Sequence, residues 1–266
     1  MNERTENGLF YKTWPAKDAK AAILLIHGLG EHCQRYEHVA AAFNGAGYSL
    51  YSMDLPCHGK SSGSRGHVDS FSVFENAALS LYDSIGKDTP IFLLGHSMGG
   101  LIAAHLLLGH QDKFIGAMLS AAAIRSPQEP PAWQVGIITL IAKLFPKAGM
   151  LQLDASGISK DPVVVDTYMN DPLVSQDKLS ANFLLEMTNT MEAVKKNANQ
   201  INLPILIMHG TSDTMTAPSG SELLHAQCSS SDKTLRLYDG LYHEIFNEPE
   251  QNQVLSEVID WLQNHA

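Results

Sequence analysis

The stretch Ile91-Phe92-Leu93-Leu94-Gly95-His96-Ser97-Met98-Gly99-Gly100 joins a short apolar run to a Gly-x-Ser-x-Gly pentapeptide. The run has the length of a buried strand, and the apolar residues 101–108 that follow are long enough for a helix. A serine on a sharp strand-to-helix turn is held in a strained conformation that projects its hydroxyl out of the sheet. Because the pentapeptide alone is a weak signal, the flanking strand and helix carry the prediction that Ser97 is a nucleophile.

A serine nucleophile also requires a base to take its proton and a carboxylate to orient that base. Two later predicted strands run into the segments His209-Gly210-Thr211-Ser212-Asp213 and Asp239-Gly240-Leu241-Tyr242-His243. The chain order Ser97, Asp213, His243 is the order found where a serine sits on such an elbow in an α/β-hydrolase sheet. Because each candidate follows a predicted strand, we expect all three to meet at one edge of a parallel sheet.

Other residues compete for two of these roles. His96, beside the nucleophile, and His209, at a strand end, are alternatives for the base. Asp239 is the alternative for the acid, but it lies four residues before His243, and such a neighbour more often fixes its own turn. We favour His243, in the last loop, as the base, and Asp213, at a strand end, as the acid.

Short apolar strands alternate with helix-like segments through most of the chain, which predicts a mostly parallel sheet covered by helices on both faces. An antiparallel edge strand is expected at Leu9–Trp14. The other predicted strands are Ala22–Ile26, Leu50–Met53, Ile91–Leu94, Ile115–Leu119, Ile205–Met208 and Thr234–Tyr238.

The alternation fails between residues 125 and 200, where several helix-like pieces follow one another. We therefore predict a core formed by residues 1–124 and 201–266, with residues 125–200 folded over Ser97 as a helical cap. Because the insertion follows the strand after Ser97, its most apolar helix would lie near the substrate.

That helix spans residues 135–145, and its apolar stripe is too wide for one-sided packing. We expect its stripe from Ile137 to Phe145 to face the protein and Ile138 and Ala142 to lie on the outward side. Ile137, Ile138 and Ile141 are the candidates to contact an apolar substrate, and the segment is a candidate for transient contact with membranes or micelles.

Composition restricts the class of protein. The 266 residues carry a net charge of −10, which disfavours binding to nucleic acid. The cysteines, at positions 33, 57 and 228, are odd in number, and the polar N-terminus has no apolar signal region, so we expect a reduced cytoplasmic protein, with peripheral membrane contact at most. No cysteine lies on an elbow-like turn, so a thiol enzyme is not predicted.

The loop after the first predicted parallel strand contains two further candidate motifs. Gly28-Leu29-Gly30 lacks the third glycine of a dinucleotide fingerprint, because position 33 is cysteine. Glu31 and Arg35 are four residues apart, which is typical of an ion pair at the start of a helix. Alternatively, Glu31 and Arg35 shape the polar end of a substrate pocket.

The chain resembles the α/β-hydrolases of the monoacylglycerol lipase and lysophospholipase group along nearly its whole length. The departure from the usual pattern is Pro56-Cys57, within the segment Asp54–Gly63. The segments that carry the resemblance are His27-Gly28-Leu29-Gly30-Glu31-His32 with Arg35-Tyr36, Asp54–Gly63, Gly95–Gly100, Ser159–Pro162 with Asn170–Val174, and Tyr238–Glu244.

The resemblance implies Ser97 as nucleophile, Asp213 as acid and His243 as base, with the backbone N–H groups of Leu29 and Met98 as the oxyanion hole. It implies acyl ester hydrolysis with monoacylglycerol as the first expected substrate, and no metal or cofactor. Glu31 and His96 are further candidates to contact substrate.

Several alternatives to this function stay open. Within esterases they are a general short-to-medium-chain carboxylesterase and a lysophospholipase. Outside esterases they are thioester or amide hydrolysis or a lyase reaction at the same triad, and a binding protein on a hydrolase fold.

Overall fold

The computed structural model describes residues 2–86 and 88–266. In these parts of the chain, eight strands form one sheet in the order β1-β2-β4-β3-β5-β6-β9-β10. The strands of this sheet are β1 (Asn2–Glu6), β2 (Leu9–Trp14), β3 (Ala21–Ile26), β4 (Tyr48–Met53), β5 (Ile91–His96), β6 (Gly116–Ser120), β9 (Ile205–Gly210) and β10 (Lys233–Tyr238).

From β4 to β10 every neighbouring pair in the sheet is parallel, and β1 and β2 extend it as antiparallel strands. The central strands β3, β5, β6 and β9 are buried along their whole length. Strands covered on both faces contain continuous apolar runs, which is why the sequence pattern located them. The prediction of a mostly parallel α/β sheet is confirmed. The strand at Leu9–Trp14 is antiparallel as predicted, but it is not the edge strand, because β1 pairs with its outer side.

Helices cover both faces of this sheet. Side chains of α2, α3, α6 and α7 form one core with one face, and side chains of α1 and α8 form a second core with the other. The helices are α1 (Glu37–Gly45), α2 (Ser72–Ser84), α3 (Met98–His110), α4 (Ala132–Leu144), α5 (Pro162–Asn170), α6 (Ala181–Asn197), α7 (Pro218–Gln227) and α8 (Gln251–His265).

The segment between β6 and β9 contains α4, α5, α6 and two short strands, β7 (Gly149–Leu151) and β8 (Leu179–Ser180), which pair antiparallel. The helical insertion is therefore present, although sequence reasoning missed its strands. Helix α6 lies in the insertion but contributes Phe183 and Val194 to the core beside the main sheet, so it packs with the insertion and with the sheet. The division at residues 125 and 200 stays a prediction.

The expected orientation of α4 is wrong. Ala142 is only 5% exposed, whereas Ile137 is 49% and Leu140 57% exposed. The buried side packs against α6, so the wider part of the apolar stripe lies outward. When apolar residues cover most of the circumference of a helix, the sequence does not show which side packs against the protein, because both sides are apolar.

Candidate active site

Ser97 lies between β5 and α3, with backbone angles φ 55° and ψ −119°. A non-glycine residue at positive φ is strained, and here the strain turns the chain sharply from strand to helix. Gly99 allows this turn, because a Cβ at this position would overlap the carbonyl oxygens of Ile26 and His27. The predicted elbow is therefore formed by close contact between the start of α3 and the end of β3.

The structure brings Ser97, His243 and Asp213 together at the carboxyl ends of β5, β10 and β9. The Nε2 atom of His243 lies 2.8 Å from Ser97 Oγ, and its Nδ1 atom lies 2.7 Å from Asp213 Oδ2. His243 and Asp213 are buried, while Ser97 is half-buried. Both distances are hydrogen-bonding distances, so the three side chains form a continuous chain from carboxylate to hydroxyl.

The carboxylate of Asp213 is held by other donors as well. Its Oδ1 accepts hydrogen bonds from the backbone N–H groups of Met215 at 2.7 Å and Thr216 at 3.0 Å. Its Oδ2 lies 3.0 Å from Nε2 of His209 and 2.8 Å from the Thr216 hydroxyl. Burial alone would raise the pKa of Asp213, but the hydrogen bonds from His209 and His243 hold it well below its usual range.

The rival residues do not contact Ser97 Oγ: His209 contacts Asp213 instead. The Asp239 side chain is exposed and accepts a hydrogen bond from the Thr211 hydroxyl at 3.2 Å, so it closes its own turn. His96 has its Nδ1 atom 3.1 Å from the Ser120 hydroxyl, and its ring centroid lies 4.9 Å from that of His243. Burial, and next the charge of His243, lower the pKa of His96 to about 3, so it stays neutral.

The candidate oxyanion groups lie beside Ser97. Leu29 follows β3 and lines the small pocket at Ser97. Met98 is the first residue of α3, where a backbone N–H has no partner within the helix. His27 supports this loop, because its Nδ1 atom is 2.8 Å from the Gly28 carbonyl and its Nε2 accepts from the Leu55 N–H at 2.9 Å.

Glu31 lies at the centre of a buried ionic network behind this loop. Its Oε1 accepts from the Gly28 N–H at 2.6 Å and the Tyr36 hydroxyl at 2.8 Å, and its Oε2 pairs with Arg35 at 2.7 Å. Arg35 also makes a bidentate pair with Glu244 at 2.6 and 2.7 Å. Burial would raise the pKa of Glu31, but the Arg35 charge helps hold it at about 2.

The sequence-based ion pair of Glu31 and Arg35 is thus present, while the partner Glu244 was missed. Glu244 follows His243 directly, so Arg35 connects the candidate oxyanion loop, residues 27–31, to the loop of the candidate base. Glu244 is 209 residues from Arg35, and no sequence periodicity relates residues so far apart.

Two adjoining pockets open above Ser97. A pocket of about 20 Å³ is lined by Ser97 and His243, and a cavity of about 310 Å³ lies next to it. Glu31 and His96 both line the small pocket. The residues that line both pockets are Leu29, Leu153, Tyr168 and Met215.

The cap helix contributes less to these pockets than expected. Over the described parts of the chain, the lining of the two pockets does not include Ile137, Ile138 or Ile141. Ile137 is exposed, and Ile138 and Ile141 are half-buried on the helix that packs against α6. The residues of the cap that do approach Ser97 are Leu153, Ile158 and Tyr168.

No cluster of three His, Cys, Asp or Glu side chains suited to a metal ion occurs within residues 2–86 and 88–266. Cys33, Cys57 and Cys228 are free thiols. Across the same described residues, none of the helices has both the length and the apolarity to cross a bilayer.

The fold and the Ser97–His243–Asp213 geometry are those of a serine hydrolase of the α/β-hydrolase class. Comparison with known proteins agrees: the chain belongs to the family described as serine aminopeptidase, S33, which matches residues 17–250. It is 34% identical over 261 residues to the monoacylglycerol lipase of Mycolicibacterium smegmatis, covering 97% of this chain and 93% of that protein.

Two further relatives carry similar names. The monoglyceride lipase of Mus musculus is 35% identical over 261 residues, covering 96% of this chain and 86% of the mouse protein. The crystal structure of the Paleococcus ferrophilus monoacylglycerol lipase superimposes with a TM-score of 0.89 at 32% identity, covering 97% of this chain and 99% of the other. The resemblance to the monoacylglycerol lipase group is therefore confirmed.

Proposed function

We propose that this protein hydrolyses the ester bond of monoacylglycerols through an acyl-enzyme on Ser97. The observation that carries the proposal is the unbroken hydrogen-bonded chain from Asp213 through His243 to Ser97, which opens into a pocket. The relatives named monoacylglycerol or monoglyceride lipase, which match over nearly the full chain, support this substrate class.

In the first step, His243 takes the proton of Ser97 through Nε2 while Oγ attacks the ester carbonyl. Asp213 keeps the other ring proton on Nδ1 and stabilises the imidazolium that forms. His243 then gives its proton to the leaving alcohol. In the second step, a water molecule repeats the attack on the acyl-enzyme with His243 again as base.

In both steps the backbone N–H groups of Leu29 and Met98 donate hydrogen bonds to the oxyanion that forms on the carbonyl oxygen. Preorganised donors of this kind each contribute about 3 kcal/mol to transition-state stabilisation. Two contacts support this assignment. The Nδ1 atom of His27 lies 2.8 Å from the carbonyl oxygen of Gly28, in the peptide that carries the Leu29 N–H, and Glu31 accepts from the Gly28 N–H one peptide earlier.

The substrate class is supported by the chemistry of the pockets. The apolar residues shared by the two pockets, such as Leu153 and Met215, suit an acyl chain, whereas the small pocket at Ser97 has a more polar lining, which includes His96, and suits the polar end of the substrate. An acyl ester of a small polyol combines both properties.

The test is hydrolysis of long-chain monoacylglycerol beside a short-chain ester, a lysophospholipid, a thioester and an amide. The unmodified chain should favour monoacylglycerol, and Ser97→Ala should lower turnover by about 10⁶. The exposed Ser231 provides a matched control, so Ser231→Ala should keep full activity. A fluorophosphonate that labels a serine other than Ser97, or no hydrolysis at all, would contradict the proposal.

We also propose that α4 contacts a lipid surface transiently while substrate enters. An exposed apolar face runs along the helix through Trp133, Ile137, Leu140 and Leu144 to Phe145. Helix α4 contains no acidic residue, in a chain whose net charge is −10. Exposed aromatic and apolar side chains without acidic residues among them are more stable at a membrane interface than in water.

The place of α4 in the chain, just before residues that line the cavity, also supports contact of its exposed face with lipid. The chain continues from α4 through the exposed Leu151 to Leu153, which lines both pockets near Ser97. Exposed apolar side chains therefore follow one another in sequence from α4 to the lining of the pockets.

Replacing Leu140 and Leu144 with glutamine tests this contact. The double variant should keep its Tm and its rate on a soluble ester, because both side chains are exposed. It should lose co-sedimentation with phosphatidylcholine vesicles and lose rate on monoacylglycerol in those vesicles. Leu237→Gln changes an exposed leucine on β10 and should have no effect. Unchanged vesicle binding in the α4 variant would exclude the contact.

A further inference from the structure

A second imidazole contacts the carboxylate of Asp213. The side chain of His209 is fully buried, with Nε2 3.0 Å from Asp213 Oδ2 and Nδ1 2.8 Å from the Ser221 hydroxyl. The same Oδ2 atom accepts from His243 Nδ1. The proposed mechanism uses His243 but gives His209 no role.

The surroundings of His209 determine which of its nitrogens carries the proton. Nε2 faces two acceptors, Asp213 Oδ2 at 3.0 Å and the Thr216 carbonyl at 3.4 Å, so it must be the protonated nitrogen. In the neutral ring Nδ1 is then an acceptor, and the Ser221 hydroxyl supplies its hydrogen. Asp213, which can only accept, thus sets the tautomer in which His209 donates to it, and the Ser221 hydroxyl satisfies Nδ1 in that tautomer.

The elements that carry this contact are rigid. His209 belongs to β9, where it is opposite Leu237 of β10, and Ser221 belongs to α7. The next residue, Gly210, is packed so closely that a Cβ would overlap the carbonyl oxygens of Leu241 and Tyr242. The imidazole of His209 is therefore fixed in position relative to the loop that carries His243.

We infer that His209 is a positioning residue, which donates from Nε2 to Asp213 Oδ2 and so sets both the orientation and the effective charge of that carboxylate towards His243. The inference rests on the proposed role of Asp213. Each donor on Oδ2 withdraws part of the negative charge that would otherwise stabilise protonated His243. His209 therefore keeps the base available at lower pH while it holds the carboxylate in line.

Removal and replacement of the donor distinguish this role from simple packing. His209→Leu removes the donor, whereas His209→Gln keeps an N–H near the position of Nε2. We expect His209→Leu to lower kcat/KM by about 10- to 100-fold, by analogy with the loss of a hydrogen-bond partner that orients a metal ligand. The acid limb of kcat/KM should move upward by about 0.5 to 1 pH unit, and His209→Gln should restore most of both effects.

The control is His105, a half-buried histidine of α3 that bonds to Glu75 away from the site. His105→Leu should leave the acid limb in place even if it lowers the Tm. An acid limb that stays fixed or moves downward in His209→Leu, or no rescue by His209→Gln, would overturn the inference.

These outcomes are separate from failure of the proposed function. If Ser97→Ala remains active, or Asp213→Asn is nearly active, the triad itself is wrong. If those variants are inactive and His209→Leu behaves like the unmodified chain, only the role of His209 is wrong.

Discussion

At the scale of single residues, the candidate site keeps its ionisable groups in fixed states. Burial lowers the pKa of His96 to about 3, so its ring is neutral near neutral pH. Burial likewise lowers the pKa of His58, whose ring packs against that of His27 beneath the site, to about 4. The pKa of Glu31 is held at about 2, and that of Asp213 lies below its usual range, so both remain anionic. His243, which contacts Ser97 Oγ, is the group that must exchange a proton during the proposed reaction.

The pH dependence of activity follows from these directions. Groups with lowered pKa values do not change charge between about pH 5 and 8, so kcat/KM should fall towards acid along a limb of unit slope as the base becomes protonated. The measurement is a log kcat/KM profile on a non-ionising ester. A profile flat from pH 8 to 5, or a slope of two, would contradict a single histidine base.

The choice between the two aspartates is also a residue-scale prediction. Asp213→Asn should reduce kcat by about 10⁴ without unfolding the protein, because the amide no longer holds the imidazole in the required tautomer. Asp239→Asn is the matched control, since Asp239 is exposed and contacts Thr211. Steady-state kinetics measure the activity of the two variants, and their Tm values show whether they remain folded. Near-full activity of Asp213→Asn would exclude Asp213 as the acid.

At the scale of elements, the elbow depends on how closely α3 approaches β3. Gly99 is needed because its backbone packs against the carbonyl groups of Ile26 and His27. The orientation of α4 depends in the same way on contact with α6, which buries Ala142. In both helices a neighbouring element, and not the helix's own pattern, decides what the side chains meet.

Gly99→Ala should therefore destabilise the protein by about 1–3 kcal/mol, the usual cost of forcing extra volume into a packed region. Gly109→Ala lies on the same helix with open space around a new Cβ and should be neutral or stabilising by about 0.5–1 kcal/mol. Denaturant unfolding measures both. Equal effects at the two positions would show that the close approach at Gly99 does not constrain the elbow.

At the scale of the whole molecule, the ionic network joins segments from both ends of the chain. Arg35, only 11% exposed at its side chain, pairs with Glu31 after β3 and with Glu244 beside His243. Buried pairs cost desolvation, but removal of one partner leaves buried charge without compensation. The network therefore links the candidate oxyanion loop to the loop that carries His243.

Arg35→Met should cost about 3–5 kcal/mol of unfolding free energy, because Glu31 and Glu244 would lose their buried partner. Arg236 is the contrasting arginine, since its side chain is 57% exposed and lies 3.8 Å from Glu257. Arg236→Met should change stability by about 0–1 kcal/mol. Urea unfolding at pH 7 compares the two, and similar losses would exclude a structural role specific to Arg35.

The sequence by itself determined the parallel sheet, the elbow at Ser97 and the order of the candidate triad. Apolar runs covered on both faces and a Gly-x-Ser-x-Gly turn are local signals, readable over a few neighbouring residues. Strand β1 was missed because all its residues are exposed, so it lacks the apolar alternation on which strand prediction depends.

Only the tertiary structure decided which side of α4 faces solvent, that Arg35 pairs with Glu244, and that His209 shares Asp213 with His243. These properties depend on contacts between elements far apart in the chain. Burial and hydrogen bonding are set by the surroundings that such packing creates, and no local periodicity encodes them.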